Sequence, residues 1–318
     1  MPTAEQLKSL VKAHYEPTGD RFRTIVLQIA AHEAKIGHAK IASDIKKIVD
    51  NARTFRSKSI VKDEFSDMFI EVNSDQRLND LVLPNEMISR IKRIEKEFIQ
   101  KDKLQKYGLT SRRKLLFAGK PGTGKTMTAY VIANELGLPL NVILMEKVIT
   151  KFMGETSAKL RQIFDYIREN QGVYLFDEFD AIGTERTKDN EVGEMRRVLN
   201  SFLQFIESDD SESIIIAATN NLNLLDQALF RRFDDVIHYE MPNRVEILKL
   251  IRTNLGGFIG KYDLAKIIDE SINLSHAEIT LATKNAVKDA ILSDKKTVDA
   301  DCLIDMIQER VLAYGGNK

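Results

Sequence analysis

The chain has 318 residues, 47 Lys plus Arg against 47 Asp plus Glu, and a formal net charge of zero; 43% of residues are hydrophobic and 30% are charged. That composition excludes a wholly disordered chain, a globally basic nucleic-acid coat and a polyanionic tail. The length allows about two domains. A single cysteine, Cys302, excludes an intramolecular disulfide and a four-cysteine zinc site, and it fits a reducing compartment. The first ten residues alternate polar and apolar side chains with no h-region, so no signal peptide is expected. No apolar run approaches the length of a membrane span, and a soluble, cytoplasmic protein is expected.

Residues 1–56 read as a three-helix unit. Leu7, Leu10 and Val11, then Phe22, Ile25, Val26 and Ile29, then Ile41, Ile45, Ile48 and Val49 each recur at helical spacing. Pro17 to Asp20 breaks the first helix from the second, and Gly37 marks the next turn. Residues 57–77 are mixed and read as a linker. From 78 to 242, short β-rich runs alternate with helical stretches. The runs are 115–118, 140–144, 173–176, 214–218 and 236–239. Strands spaced by helices predict an α/β fold with a parallel sheet covered on both faces. From 243 to 318 only helical periodicity remains, which predicts a helical lid.

Gly119-Lys120-Pro121-Gly122-Thr123-Gly124-Lys125-Thr126 fits GxxxxGK[ST] between a buried strand and a helix that opens at Met127. Glycines let backbone N–H groups turn inward around phosphate oxygens, and the helix adds its N-terminal partial positive charge. Lys125 is placed to hold the β- and γ-phosphates and Thr126 to ligate Mg²⁺. The apolar run Val173 to Phe176 ends in Asp177-Glu178, 52 residues after Lys125. Acids at the carboxyl end of a parallel strand face the ligand crevice. There Asp177 suits Mg²⁺, mostly through water, and Glu178 suits polarisation of the attacking water.

With Ala218-Thr219-Asn220, these motifs resemble the AAA family of ATPases from about Leu78 to Tyr314. Leu224 to Asp234 resembles the family's second region of homology, in the compact form of katanin- and spastin-like members. The resemblance implies a P-loop NTPase core with a helical lid, ATP and Mg²⁺ as ligands, and hydrolysis to ADP and phosphate. It implies Asn220 as an amide orienting the lytic water, and Arg231 and Arg232 as arginine fingers reaching a neighbouring subunit. The local alternative for these arginines is a surface pair with Asp234 or Asp235. Lys151-Phe152-Met153-Gly154-Glu155 resembles the pore-loop signature, in which exposed aromatics grip an extended polypeptide; otherwise Phe152 packs into its own domain.

Two departures stand out. In Asn273-Leu274-Ser275-His276-Ala277-Glu278-Ile279, Asn273 and His276 stand where the family has glycines near the base. His276 either contacts the nucleotide, with Ala277, or fills space at a helix start. Leu81-Val82-Leu83-Pro84 replaces a more Gly-rich contact to the base, so adenine is implied by the family and not read from these residues.

Charge is uneven. Residues 90–114 hold ten basic side chains against three acids, and residues 165–194 hold nine acids against three bases. Opposite signs suit head-to-tail contacts that close into a ring, and the family resemblance implies a homohexamer. The basic stretch has only Phe98 and Tyr107 as aromatics, so a nucleic-acid partner is not expected. The expected function is remodelling or unfolding of a protein partner recruited through residues 1–56. The alternative is an ATP-switched scaffold or regulator of a separate protease or DNA-associated partner.

Overall fold

The computed structural model describes residues 25–26, 29–30, 66–150, 153–179, 189–220 and 230–314. The chain divides into two compact units, Met1–Ser66 and Asp67–Lys318. In the first, residues 25–26 and 29–30 are helical and Ile29 and Ala30 are buried. The rest of the predicted three-helix unit lies outside the described residues.

The second unit opens on β1 (Phe69–Val72), helix α1 (Asn85–Ile99) and the short α2 (Lys101–Gln105). β2 (Lys114–Gly119) leads through a Gly-rich loop into α3 (Lys125–Leu136), followed by β3 (Leu140–Ile143) and α4 (Met145–Val148). Then come α5 (Met153–Glu169), β4 (Val173–Phe176), α6 (Asp189–Ser208), β5 (Ile214–Thr219) and β6 (Asp235–Tyr239). Among the described residues four α-helices follow: α7 (Arg244–Leu255), α8 (Ala265–Glu270), α9 (His276–Leu292) and α10 (Ala300–Tyr314).

The strands form one six-stranded sheet in the order β1-β3-β4-β5-β2-β6. β2 to β6 are parallel, and β1 runs antiparallel to β3, with Phe69 opposite Ile143 and Val72 opposite Leu140. β1 lies inside the stretch read as linker. Its burial pattern is mixed, half-buried at both ends and exposed at Ile70 and Glu71, so no apolar alternation announces it.

Side-chain alternation decides which helices cover which face. Leu115, Phe117, Val173, Leu175, Ile214 and Ile216 share one apolar core with α1 and α3. α1 supplies Met87, Ile91, Ile94 and Phe98 to it, a stripe at helical spacing. On the opposite face, Tyr174 and Phe176 meet the aromatic rings of α5 and α6. Phe176 lies 4.9 Å from Phe202 and 5.8 Å from Phe164 between ring centroids. Burial on both faces explains why the central strands read as unbroken apolar runs.

The lid has its own core, built from Ile247, Ile251, Ile267, Leu274, Ile279, Ala282, Leu303 and Ile307 among others. Asn243 starts the lid by capping α7. Its side chain accepts from the N–H groups of Val245 and Glu246, and Glu246 accepts from the Asn243 N–H. The segment Leu81-Val82-Leu83 stitches the two cores: Leu81 and Leu83 pack in the sheet core and Val82 in the lid core. Among the described residues, no helix is long and apolar enough to cross a membrane.

Candidate active site

Three strand ends build the site. The Gly-rich loop follows β2, Asp177 and Glu178 follow β4, and Asn220 follows β5. β5 lies between β4 and β2, pairing Ala217 with Phe176 and Thr219 with Ala118. The amide at position 220 is thereby set between the phosphate loop and the acids. This is the carboxyl edge of the parallel strands, where α/β sheets bind ligands.

The loop's geometry needs its glycines. Gly122 has φ +73°, and a Cβ there would come within 2.5 Å of Ser275 Oγ and 3.2 Å of Ala277 Cβ. Gly119 leaves room for the Tyr239 carbonyl, with which a Cβ would collide. Lys125 is buried, and its ammonium donates to the carbonyls of Gly119 (2.8 Å) and Lys120 (3.0 Å) and to Asn220 Oδ1 (2.8 Å). Thr126 Oγ1 donates to Asp177 Oδ2 at 2.7 Å. The Glu178 N–H donates to Asp177 Oδ1 at 2.9 Å, and Glu178 takes φ +50°, a left-handed conformation costing a non-glycine residue about 1–2 kcal/mol. Its exposed side chain stands at the cleft rather than in the core.

The Thr126 hydroxyl and Asp177 carboxylate are hard oxygen donors already in contact. Mg²⁺ favours such a sparse protein set, completed by phosphates and water. Among the described residues there is no group of three or more His, Cys, Asp or Glu able to hold a metal.

The lid closes the site from above. The Ala277 N–H donates to the Gly122 carbonyl at 3.0 Å, which seats the N-terminus of α9 on the phosphate loop. Ser275 caps that helix, accepting from the Glu278 N–H at 3.3 Å, while Glu278 accepts from the Ser275 N–H at 2.6 Å. His276, at the first turn, is buried, and desolvation pushes its pKa down to about 4.

A cleft of about 630 Å³ joins these parts. Pro121 to Met127, Asp177, Glu178, Asn220, His276 and Ala277 all line it. So do side chains that sequence reasoning missed: Gln76, Thr253, Asn254, Thr280 and Lys284. Ala277, Thr280 and Lys284 follow at i, i+3 and i+7 on one face of α9, so helical spacing counted from the Ser275 cap could have found them.

The other predicted residues are placed apart. Arg231 and Arg232 do not line the cleft. They precede β6, at the amino ends of the parallel strands. Arg231 is exposed, and Arg232 pairs with Glu207 at 2.9 Å. The local partners considered for them are engaged elsewhere: Asp234 accepts from the N–H groups of Arg113 and Lys114, and Asp235 pairs with Arg90 and Arg112. Lys151 and Phe152 lie outside the described residues, and Met153 opens α5. Thr150 and Thr156 flank that position and are tied by a 3.1 Å bond from the Thr150 N–H to the Thr156 hydroxyl.

Known proteins place the chain in a family. Residues 115–241 match the profile of the "ATPase family associated with various cellular activities (AAA)". The chain is 32% identical to "Uncharacterized AAA family ATPase y4kL" of Sinorhizobium fredii, over 94% of this chain and 92% of that one. It is 31% identical to a proteasome-activating nucleotidase of Methanopyrus kandleri, over 77% of this chain and 58% of that protein. It is 29% identical to the ATP-dependent zinc metalloprotease FtsH of Mycoplasmopsis synoviae, over 78% of this chain but only 38% of that protein. With this kinship and a six-stranded phosphate-loop fold, the chain belongs to the AAA family of ATPases.

Proposed function

We propose that this protein is a ring-forming ATPase that remodels or unfolds a protein partner. One observation carries the reading: a single cleft gathers Lys125, Thr126, Asp177, Glu178 and Asn220 under a lid hydrogen-bonded to the phosphate loop. Lys125 and the loop N–H groups hold the phosphates of ATP. Thr126 and Asp177 would hold Mg²⁺, which when bound would supply positive charge to the phosphates. Glu178 takes a proton from the attacking water, and Asn220 orients that water.

Arg231 and Arg232 act on a neighbour's site. β6 has five residues, so they sit roughly 15 Å from the carboxyl edge, beyond reach of their own cleft. A guanidinium supplied in trans makes turnover depend on assembly. The match to proteins named as a proteasome-activating nucleotidase and an ATP-dependent protease supports a polypeptide as the object of work. In this reading Lys151, Phe152 and Met153 grip that polypeptide, residues 1–56 recruit it, and the sites are shared around a homohexamer.

Two variants of the full chain test the reading. Glu178→Gln should still bind ATP but lose about 10²–10⁴-fold in turnover, the usual worth of a general base. Used as a trap in a pull-down, it should retain a protein partner that is released on nucleotide removal. Phe152→Ala should keep ATP hydrolysis and lose partner remodelling. Normal turnover by Glu178→Gln removes the catalytic assignment. Full remodelling by Phe152→Ala removes the threading role and leaves an ATP-switched scaffold.

A further inference from the structure

Tyr239 bears on the phosphate loop from both of its ends. It closes β6, where it stands opposite Gly119, the first glycine of the loop. The approach is close: a Cβ on Gly119 would lie 2.2 Å from the Tyr239 carbonyl oxygen and 2.7 Å from the Tyr239 Cβ. The ring then runs into the sheet core, 5.4 Å from Phe117 between centroids. Its hydroxyl reaches the start of α3, where Thr128 bears on it. That hydroxyl is out of place. Only 4% of Tyr239 is exposed, yet its oxygen makes no hydrogen bond among the described residues. Folded proteins keep few buried polar groups unpaired, because each is costly, and a phenylalanine would fill the same space without that cost.

The chemistry of the surroundings names its partner. Burial pushes the phenol well above its usual pKa, so it stays protonated and remains a donor. Two side chains bear on it, Thr128 first and Arg90 more weakly. The Arg90 guanidinium has only protons to offer and directs them to Asp235 and the Val236 carbonyl. Thr128 is fully buried, and its hydroxyl donates to the Gly124 carbonyl at 2.9 Å, which leaves that hydroxyl's lone pairs to accept. The Gly124 carbonyl also accepts from the Thr128 N–H at 2.9 Å, a double anchor on a residue held at φ +102°. The same peptide unit carries the Lys125 N–H, at the N-terminus of α3, where a helix meets phosphate. Hydrogen bonds in a chain polarise one another, so a donor behind Thr128 strengthens both the hold on that carbonyl and the N–H beyond it.

We infer that Tyr239 is a positioning residue for phosphate binding: its hydroxyl donates to the Thr128 hydroxyl, which donates to the Gly124 carbonyl and so sets the Lys125 amide toward the nucleotide's phosphates. Thr128 already bears on the phenol, so a slight tilt of the ring completes the relay without a change of backbone. The inference rests on the cleft being a nucleotide site, as proposed above. It adds a residue outside the cleft lining that tunes the loop from beneath, and it ties the end of β6 to the loop's last glycine as well as its first.

The test measures ADP affinity by calorimetry on the full chain with Mg²⁺. Tyr239→Phe keeps the ring and removes only the hydroxyl. Its ADP affinity should fall about 3–10-fold, the worth of one hydrogen bond. Its thermal midpoint without nucleotide should hold or rise, because an unsatisfied buried group is gone. A tyrosine that serves packing alone would leave the affinity where it was. Thr128→Ser keeps the relay hydroxyl and should bind ADP as the wild type does. Thr128→Val breaks the relay, so adding Tyr239→Phe to it should cost no further affinity. Unchanged affinity in Tyr239→Phe overturns the inference, and so does a second full loss when Tyr239→Phe is added to Thr128→Val. Tyr239→Phe alone decides the matter where Thr128→Val misfolds. A wild type that binds ADP regardless of Tyr239 loses only this inference, whereas a chain that neither binds nor hydrolyses ATP loses the proposed function.

Discussion

Glu95 is a residue whose environment works against its ordinary charge. It faces Glu135 across α1 and α3, half-buried, and burial first, then the Glu135 carboxylate, raises its pKa to about 7, against a smaller opposing pull from Lys92. Its Oε1 is buried with no hydrogen-bond partner among the described residues. Because the folded pKa lies above the unfolded one, the folded state binds the extra proton between about pH 4.5 and 7. The group's contribution is fully present below 4.5 and is lost as pH rises through 7. His276 tilts the other way, since its depressed pKa of about 4 makes it lose stability on acidification below 6.5. Glu95→Gln keeps the shape of the protonated acid and removes the charge. Urea unfolding at pH 5 and pH 8 should show the variant gaining on the wild type at pH 8 and matching it at pH 5. An equal difference at both values would show that Glu95 does not titrate in this window.

At the scale of elements, the docking of α9 on the phosphate loop is what makes lid and loop one unit. Gly122→Ala forces a side chain into a left-handed position and against Ser275 Oγ at 2.5 Å. The backbone alone costs about 1–2 kcal/mol, so nucleotide affinity should drop about tenfold or more as the lid is lifted. Titration with ADP reads this directly, and unchanged affinity would mean that the lid contact is incidental to binding. How much of this was legible in sequence depended on burial. Central strands such as Ile214–Thr219 are buried on both faces and read as continuous apolar runs. β1 is an edge strand with Ile70 and Glu71 exposed, so it carried no signal and passed for linker. The Gly-rich loop and the Asp177-Glu178 pair were legible because each is a short motif beside an apolar run, whereas Asn220 came only with the family resemblance. Thr253 and Asn254 were not, because only the packing of α7 on α9 brings them to the cleft. Nor could spacing show that Val82 belongs to the lid core while its neighbours belong to the sheet.

At the scale of the whole molecule, zero net charge hides a division of labour that the structure revises. The basic stretch 90–114 reads as a free cationic face, but much of it is spent inside the subunit. Arg90 and Arg112 pair with Asp235, Arg93 and Arg112 with Glu97, Lys101 with Glu212 and Arg113 with the buried Asp209. The pairs with Asp235 tie α1 and the residue two before β2 to the start of β6, just after Arg231 and Arg232. The clamp fixes where those arginines stand, since Asp234 and Asp235 anchor the residues directly after them. Of the two, Arg231 is the exposed one and Arg232 already holds Glu207, so Arg231 is the better placed to act on a neighbour. Removing a trans-acting guanidinium should cost about 10³–10⁵-fold in turnover of assembled protein. Arg231→Ala should therefore be nearly inactive alone, and so should Lys125→Ala. Mixed together, an Arg231→Ala subunit offers an intact phosphate loop to the intact arginine of a Lys125→Ala neighbour. Activity should then reappear, peaking near equal proportions and vanishing on dilution below the assembly concentration. Steady-state hydrolysis across the mixing series measures this. A flat line at the level of the separate variants would place Arg231 outside the neighbour's site.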